Sequence, residues 1–145
     1  MSGTRGVGQQ AEAVKVLVYS DDRNVRAQAR SALGRRVASD LPEIEVIECA
    51  TAEAVVANAD TGAIDLFILD GESTPHGGMG LCRTLKDEIV DCAPVLLMVA
   101  RRDDAWLASW SRAEGIVGHP VDPVRLPEEA AKLLRGRLAG TPATA

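Results

Sequence analysis

Five apolar runs alternate with amphipathic stretches along the chain, and this alternation restricts the possible folds more than any other feature. The runs are typical of buried β-strands, and they span Val14 to Tyr19, Ile44 to Cys49, Asp65 to Leu69, Val95 to Val99 and Ile116 to Gly118. Strict alternation of strands and helices with short connections predicts a parallel sheet covered by helices on both faces.

The stretches between the strands carry helix patterns, because apolar residues recur in them every three or four positions. The predicted buried faces are Val25, Ala29, Leu33 and Val37; Met79, Cys82, Leu85 and Ile89; Trp106, Trp110 and Ala113; and Leu126, Ala130, Leu134 and Leu138. Thr51 is predicted to cap a short second helix, and Asp103 or Asp104 to cap the fourth. Asp122 followed by Pro123 predicts the start of the last helix.

The predicted architecture is a flavodoxin-like (βα)5 three-layer sandwich with a five-stranded parallel sheet in the order 2-1-3-4-5. Glu45 and Glu48 place two charges in the second strand, which favours an edge position for it. We expect one domain over residues 14–138, flanked by flexible tails at 1–13 and 139–145.

Composition argues against several functional classes. A net charge of −5 disfavours direct binding to nucleic acid or to an anionic membrane. No apolar stretch approaches the ~18 residues that a membrane span needs, and the N-terminus lacks the hydrophobic segment of a signal peptide. Cys49, Cys82 and Cys92 have no CxxC spacing, which fits reduced thiols in a cytoplasmic protein.

Polar residues follow the predicted strands at their carboxyl ends, where doubly wound sheets carry their sites. Ser20, Asp21 and Asp22 follow the first strand, Asp70 the third and His119 the fifth. Converging carboxylates repel one another unless a cation neutralises them, and oxygen ligands suit Mg²⁺. The alternative is that Asp21 and Asp22 only cap a helix and complement its dipole.

Four segments of the sequence match one set of known motifs. They are Lys15 to Arg26 (KVLVYSDDRNVR), Asp65 to Asp70 (DLFILD) with the following Pro-containing loop and Gly78, Pro94 to Ala100 (PVLLMVA), and the dipeptide His119-Pro120. Together they resemble response-regulator receiver domains over residues 14–138. This resemblance implies that Asp70 accepts a phosphoryl group, as a nucleophile, from a sensor histidine kinase or a phosphotransfer protein.

The resemblance also implies a magnesium ion at the same site. Its ligands would be Asp21, Asp70 and the main-chain carbonyl of Glu72, with the ion offsetting charge on the phosphoryl oxygens. A gapless alignment puts Ser20 where the family has the first of two acids. Asp22 would replace that acid only if the alignment slipped by one residue.

The family's switch positions fall on Val99, Ala100 and His119, and two of the three are unusual. Val99 replaces a Thr or Ser whose hydroxyl contacts the phosphoryl group, and His119 replaces a Lys. The lost contacts are worth roughly 1.5–3 kcal/mol for the Lys and about 0.5–1.5 kcal/mol for the hydroxyl. We therefore expect an atypical, single-domain receiver with weakened switching and slow self-dephosphorylation at most, rather than an enzyme.

The family's partner surface falls on Trp106, Trp110 and Ile116. Because no effector domain is apparent, output would pass through a downstream protein, and homodimerisation stays open. The competing interpretation is that the two Trp side chains fill the core of an aromatic-poor protein, which has only Tyr19 and Phe67 besides them.

Two other functions remain as alternatives. One is a pseudo-receiver that binds proteins independently of phosphorylation. The other rests on Asp70 to Thr74 (DGEST), which faintly resembles the nucleophile loop of haloacid-dehalogenase-like phosphatases and would imply a small aspartyl-phosphate phosphatase.

Overall fold

A computed structural model describes residues 13–73, 77–100 and 110–140. Within them the chain forms β1 (Val14–Tyr19), α1 (Arg23–Leu33), β2 (Ile44–Cys49), α2 (Ala52–Ala59), β3 (Leu66–Asp70), α3 (Gly78–Glu88), β4 (Val95–Val99), β5 (Gly115–Gly118) and α4 (Arg125–Leu138). The strands pair in parallel in the order β2-β1-β3-β4-β5. The predicted fold class and strand order are therefore confirmed.

The sheet separates two apolar layers, as alternating side chains on buried strands require. One layer joins β-strand residues such as Val16, Ile68 and Met98 to α1 and α4, and the other joins residues such as Leu17 and Leu97 to α2 and α3. Every residue of β3 and β4 is buried, whereas β2 is partly exposed and lies at the sheet edge, as its two Glu residues predicted.

Several predicted boundaries differ from the observed ones. The first helix ends at Leu33 because Gly34 adopts a left-handed φ of 65°, so Val37 lies beyond the helix, although it still packs against the core. The third strand covers Leu66–Asp70 rather than 65–69, and the Asp65 carboxylate instead accepts a hydrogen bond from the Lys15 main-chain N–H at 3.0 Å. Leu138, predicted to be buried, is 43% exposed.

The predicted helix caps are observed where the structure describes them. The Thr51 hydroxyl accepts a bond from the Ala54 N–H at the start of α2. The Asp122 carboxylate accepts bonds from the N–H groups of Val124 and Arg125, so it caps α4 although the helix begins at Arg125.

Some predicted features lie outside the described residues. These are most of the fourth helix with Trp106, Asp103 and Asp104, and residues 1–12 and 141–145 of the two tails. In the described part, no helix has the length and apolar character that crossing a bilayer requires. Cys49, Cys82 and Cys92 are free thiols, and burial raises the pKa of Cys82 to about 12.

Candidate functional site

The candidate site lies where β1 and β3 end side by side at one rim of the sheet. The register pairs Tyr19 with Leu69, so the next residues, Ser20 and Asp70, come together. Asp70 is the last residue of β3 and is only 2% exposed. Two strands that are far apart in sequence thus place a serine against a buried carboxylate.

The backbone around Asp70 is packed too closely for ordinary side chains. The N–H of Gly71 bonds to the Met98 carbonyl of β4 at 2.8 Å. A Cβ atom on Gly78, the first residue of α3, would lie 2.9 Å from the Asp70 carbonyl oxygen. The missing side chain of Gly78 therefore allows α3 to begin directly against Asp70.

Both oxygens of the Asp70 carboxylate accept hydrogen bonds. The Ser20 hydroxyl donates to Oδ2 at 2.8 Å, and the Glu72 main-chain N–H donates to Oδ1 at 2.8 Å. The Nε2 atom of His119 lies 3.4 Å from Oδ1. A buried carboxylate needs such partners, because an unsatisfied one would carry a large desolvation penalty.

The two acids that follow Ser20 have different surroundings. The Asp21 N–H donates to the Ser73 hydroxyl at 2.9 Å, which ties the end of β1 to the loop after β3. The Asp22 carboxylate caps α1 by accepting the Asn24 N–H at 2.8 Å. The structure thus places the Ser20 hydroxyl beside Asp70, and it gives Asp22 the helix-capping role that the sequence left as an alternative.

The carboxylates of Asp21 and Asp70 both act on the buried phenol of Tyr19. Burial is the main cause that raises the Tyr19 pKa, and these two nearby negative charges raise it further. The negative charges of both residues are thus felt at the end of β1.

The ends of β4 and β5 complete the rim. The Val99 side chain is buried and offers no hydrogen-bond donor. The Ala100 N–H is exposed and donates to the Glu72 carboxylate at 3.3 Å. His119 is fixed through its main-chain N–H to the Val99 carbonyl, and its buried Nε2 atom has no hydrogen-bond partner within the described residues.

Two residues to which the sequence assigned no role contact this rim: Arg26 and Ser73. The Arg26 guanidinium donates to the Ser20 carbonyl at 2.7 Å and pairs with Glu48 of β2. Ser73 receives the Asp21 N–H. The only sequence signal for these residues was that they lie near Asp21 or Asp70 in the chain. Their contacts could not be predicted, because contacts between loops depend on the folded backbone.

Trp110 does not fill the core, so that interpretation is wrong for this residue. Its side chain is 47% exposed, and the Arg83 guanidinium lies 4.8 Å from the ring centroid. Arg83 also donates to the Trp110 carbonyl at 2.7 Å. Ile116 is partly buried against the α2–α3 layer, and Trp106 lies outside the described residues.

The metal-ligating capacity of the site is limited to few side chains. Across residues 13–73, 77–100 and 110–140, no group of three or more His, Cys, Asp or Glu side chains is arranged to hold a metal ion. A divalent cation at this rim would depend on the two carboxylates of Asp21 and Asp70 together with main-chain oxygen.

Comparisons with known proteins identify the class that this fold and rim define. No family model matches the chain. The structure is similar to a CheY-like receiver domain protein from Methanospirillum hungatei, with a TM-score of 0.70 and 17% identity over 89% of this chain and 99% of that one. It is also similar to a chemotaxis response regulator of Vibrio cholerae, with a TM-score of 0.70 and 18% identity over 84% of this chain and 99% of that one.

A sequence relative defines the family. An uncharacterised response regulatory protein of Mycobacterium tuberculosis is 51% identical over 123 residues, which cover 85% of this chain and 92% of that protein. The chain belongs to the response regulator family of two-component signalling, and its described part is a receiver domain.

Proposed function

We propose that Asp70 accepts a phosphoryl group from a sensor histidine kinase or a phosphotransfer protein and that the signal passes on through protein–protein contacts. The observation that carries this proposal is the placement of Asp70. Asp70 is the last residue of β3, and its carboxylate is buried and hydrogen-bonded at the carboxyl rim of the sheet. His119 lies on the side of Asp70 that faces away from β1. Ligand chemistry in doubly wound sheets occurs at this rim.

In the proposed reaction a carboxylate oxygen of Asp70 attacks the phosphorus atom of the donor. A new O–P bond forms while the bond from phosphorus to the donor nitrogen or oxygen breaks, and the donor group leaves with that electron pair. The Glu72 N–H and the Ser20 hydroxyl keep the carboxylate in one orientation, which favours in-line attack.

The oxygen ligands of the site suit a magnesium ion, although the site has less negative charge than a three-acid site. Asp21, Asp70 and the main-chain carbonyl of Glu72 would hold it, which are hard oxygen ligands of the kind that Mg²⁺ prefers. When bound, the ion would offset negative charge on the phosphoryl oxygens. Ser20 leaves the site without a third carboxylate, so we expect weaker binding than a three-acid site would give.

The proposed switch is weakened at the β4 and β5 ends of the rim. Val99 cannot donate a hydrogen bond to a phosphoryl oxygen, and a neutral His119 offers a donor without charge. The loss is roughly 1.5–3 kcal/mol at His119, where the Lys charge is missing, and about 0.5–1.5 kcal/mol at Val99, where the hydroxyl is missing. Phosphorylation would therefore be less favourable without being abolished.

The proposed output surface includes the exposed ring of Trp110 and the partly buried Ile116 of β5. Large aromatic rings held by a neighbouring Arg are typical anchors in protein interfaces. The downstream protein, the kinase and any homodimer are left to experiment, and we propose neither nucleic acid nor a membrane as a direct partner.

A second candidate, a pseudo-receiver that binds proteins without phosphorylation, is favoured by one specific observation. The Glu72 carboxylate already occupies the Ala100 N–H, and Ser20 already occupies Asp70 Oδ2. The Ser20 hydroxyl and the Ala100 N–H are thus satisfied without a phosphoryl group.

The test is incubation with Mg²⁺ and acetyl phosphate, followed by intact mass spectrometry. We expect an adduct of about 80 Da, the mass of one added HPO3 unit. It should be absent in Asp70→Asn and retained in Asp65→Asn, a matched control at the opposite end of β3. No adduct in the wild-type protein would support the pseudo-receiver, and rapid release of free phosphate would support a phosphatase.

A further inference from the structure

Ser20 is fixed at four points, which determines where its hydroxyl proton lies. The side chain is fully buried, its N–H donates to the Cys49 carbonyl at 3.2 Å and its carbonyl accepts from Arg26 at 2.7 Å. The Asp22 N–H donates to the hydroxyl oxygen at 3.0 Å. Because a hydroxyl has one proton, that proton is directed to Asp70 Oδ2, 2.8 Å away.

The two carboxylate oxygens of Asp70 point towards different strands of the sheet. β3 lies between β1 and β4, and Oδ2 faces the β1 end through Ser20, whereas Oδ1 lies towards His119 after β5. Asp21 directly follows Ser20 at the β1 end. We therefore take a cation shared by Asp21 and Asp70 to approach Asp70 from the β1 end, where Oδ2 lies.

We propose that Ser20 is a positioning residue that opposes divalent-cation binding, because its hydroxyl proton occupies the carboxylate oxygen that the cation needs. This inference rests on the proposed function, in which Asp70 is the phosphoacceptor and Asp21 and Asp70 hold the cation. The hydroxyl keeps Asp70 satisfied when no cation is bound, and a cation must weaken this charge-assisted bond to reach Oδ2. The fraction of the protein with a bound cation then varies with the cation concentration instead of staying saturated.

The experiment measures Mn²⁺ binding, with the free ion counted by electron paramagnetic resonance, for the full chain and its variants. The Asp70→Asn protein supplies the background. In Ser20→Ala the competing proton is lost, so we expect the dissociation constant to fall about tenfold. Ser20→Thr keeps a hydroxyl and should bind as the wild type does, and Ser31→Ala, on the exposed surface of α1, serves as the matched control.

An unchanged or weaker Mn²⁺ affinity in Ser20→Ala would overturn the inference, since the hydroxyl would then be neutral or a ligand. A thermal melt separates this effect from misfolding, because a purely structural role would lower Tm without tightening Mn²⁺ binding. The phosphoryl adduct is scored separately. If the wild type forms the adduct while Ser20→Ala binds no better, only the role of Ser20 fails; if binding tightens but no adduct forms, only the phosphoacceptor function fails.

Discussion

The two halves of the rim differ in how completely their polar groups are satisfied. The half formed by the ends of β1 and β3 is linked by hydrogen bonds from Ser20, Glu72 and Asp21 to their neighbours. The half formed by the ends of β4 and β5 has the apolar side chain of Val99 and a His119 Nε2 atom that lacks a partner in the described part of the chain.

This difference separates two tasks that one site has to combine. Holding a carboxylate ready to accept a group requires fixed donors around it, and the β1–β3 half supplies them. Reporting the added group requires donors that bind it, and in the β4–β5 half Val99 has no hydroxyl and the Ala100 N–H is already bonded to Glu72. Under the proposed function, we expect phosphoryl acceptance to be better preserved than the coupled conformational response.

Substitution of His119 by Lys should have the largest effect on this contrast. A permanent charge beside Asp70 Oδ1 should stabilise the phosphoryl adduct by roughly 1.5–3 kcal/mol, or about tenfold to a hundredfold in adduct yield. Intact mass spectrometry after acetyl phosphate treatment measures this yield. His119→Gln, neutral and of similar size, is the control, and an equal yield in both variants would refute a role for charge.

Gly78→Ala should disturb the well-ordered half. The new Cβ would lie 2.9 Å from the Asp70 carbonyl oxygen and 3.0 Å from the Leu69 Cβ, and backbone atoms cannot easily move away. We expect a loss of roughly 1–3 kcal/mol in the free energy of unfolding, measured by chemical denaturation. Gly80→Ala in the same helix meets nothing within 4 Å and should be neutral or stabilising; equal losses in both variants would argue against close packing as the cause.

Val99→Thr should improve the poorer half by a smaller amount. A hydroxyl at the end of β4 would give the phosphoryl group one more donor, worth about 0.5–1.5 kcal/mol or roughly twofold to tenfold in adduct half-life. Val95→Thr places the same hydroxyl at the other end of β4 and should leave the half-life unchanged. A gain in both variants, or in neither, would show that the position of Val99 does not matter.

The smallest expected effect is on the pH dependence of protein stability, through Asp122 at the start of α4, the helix that follows β5. Main-chain N–H groups of Arg125 and Val124 hold the pKa of Asp122 below its usual value, so its ionised form stabilises the folded state. This contribution is present at neutral pH and is lost as the pH falls below about 4 towards the lowered folded pKa. The Tm difference between wild type and Asp122→Asn should therefore shrink in acid, and a constant difference from pH 7 to pH 3 would contradict this account.

Much of the fold could be predicted because its signals are local. The apolar run Val95–Val99 and the capping residue Thr51 were placed correctly from spacing and residue type alone. The first helix was predicted too long, because Val37 continues the four-residue spacing although Gly34 ends the helix with a left-handed backbone. Periodicity records which residues face the core, and it does not record where the chain leaves the helix.

The candidate site was predictable only in part. Asp70 was recognisable as an acid after an apolar strand, and a gapless alignment put Ser20 at the position of the family's first acid. The bond from Arg26 to the Ser20 carbonyl and the position of Ser73 against Asp21 were not predictable. Each of these contacts joins residues whose distance is set by the register of two strands and by a loop conformation.

The sequence by itself determined the layered architecture, since hydrophobic burial forces each apolar run into the sheet and each amphipathic stretch onto one of its faces. Only the tertiary structure decided that the Ser20 proton is directed to one Asp70 oxygen and that Trp110 is exposed. Hydrogen bonds act over a few ångströms and in fixed directions, so they are determined only when the packed backbone has brought distant residues together.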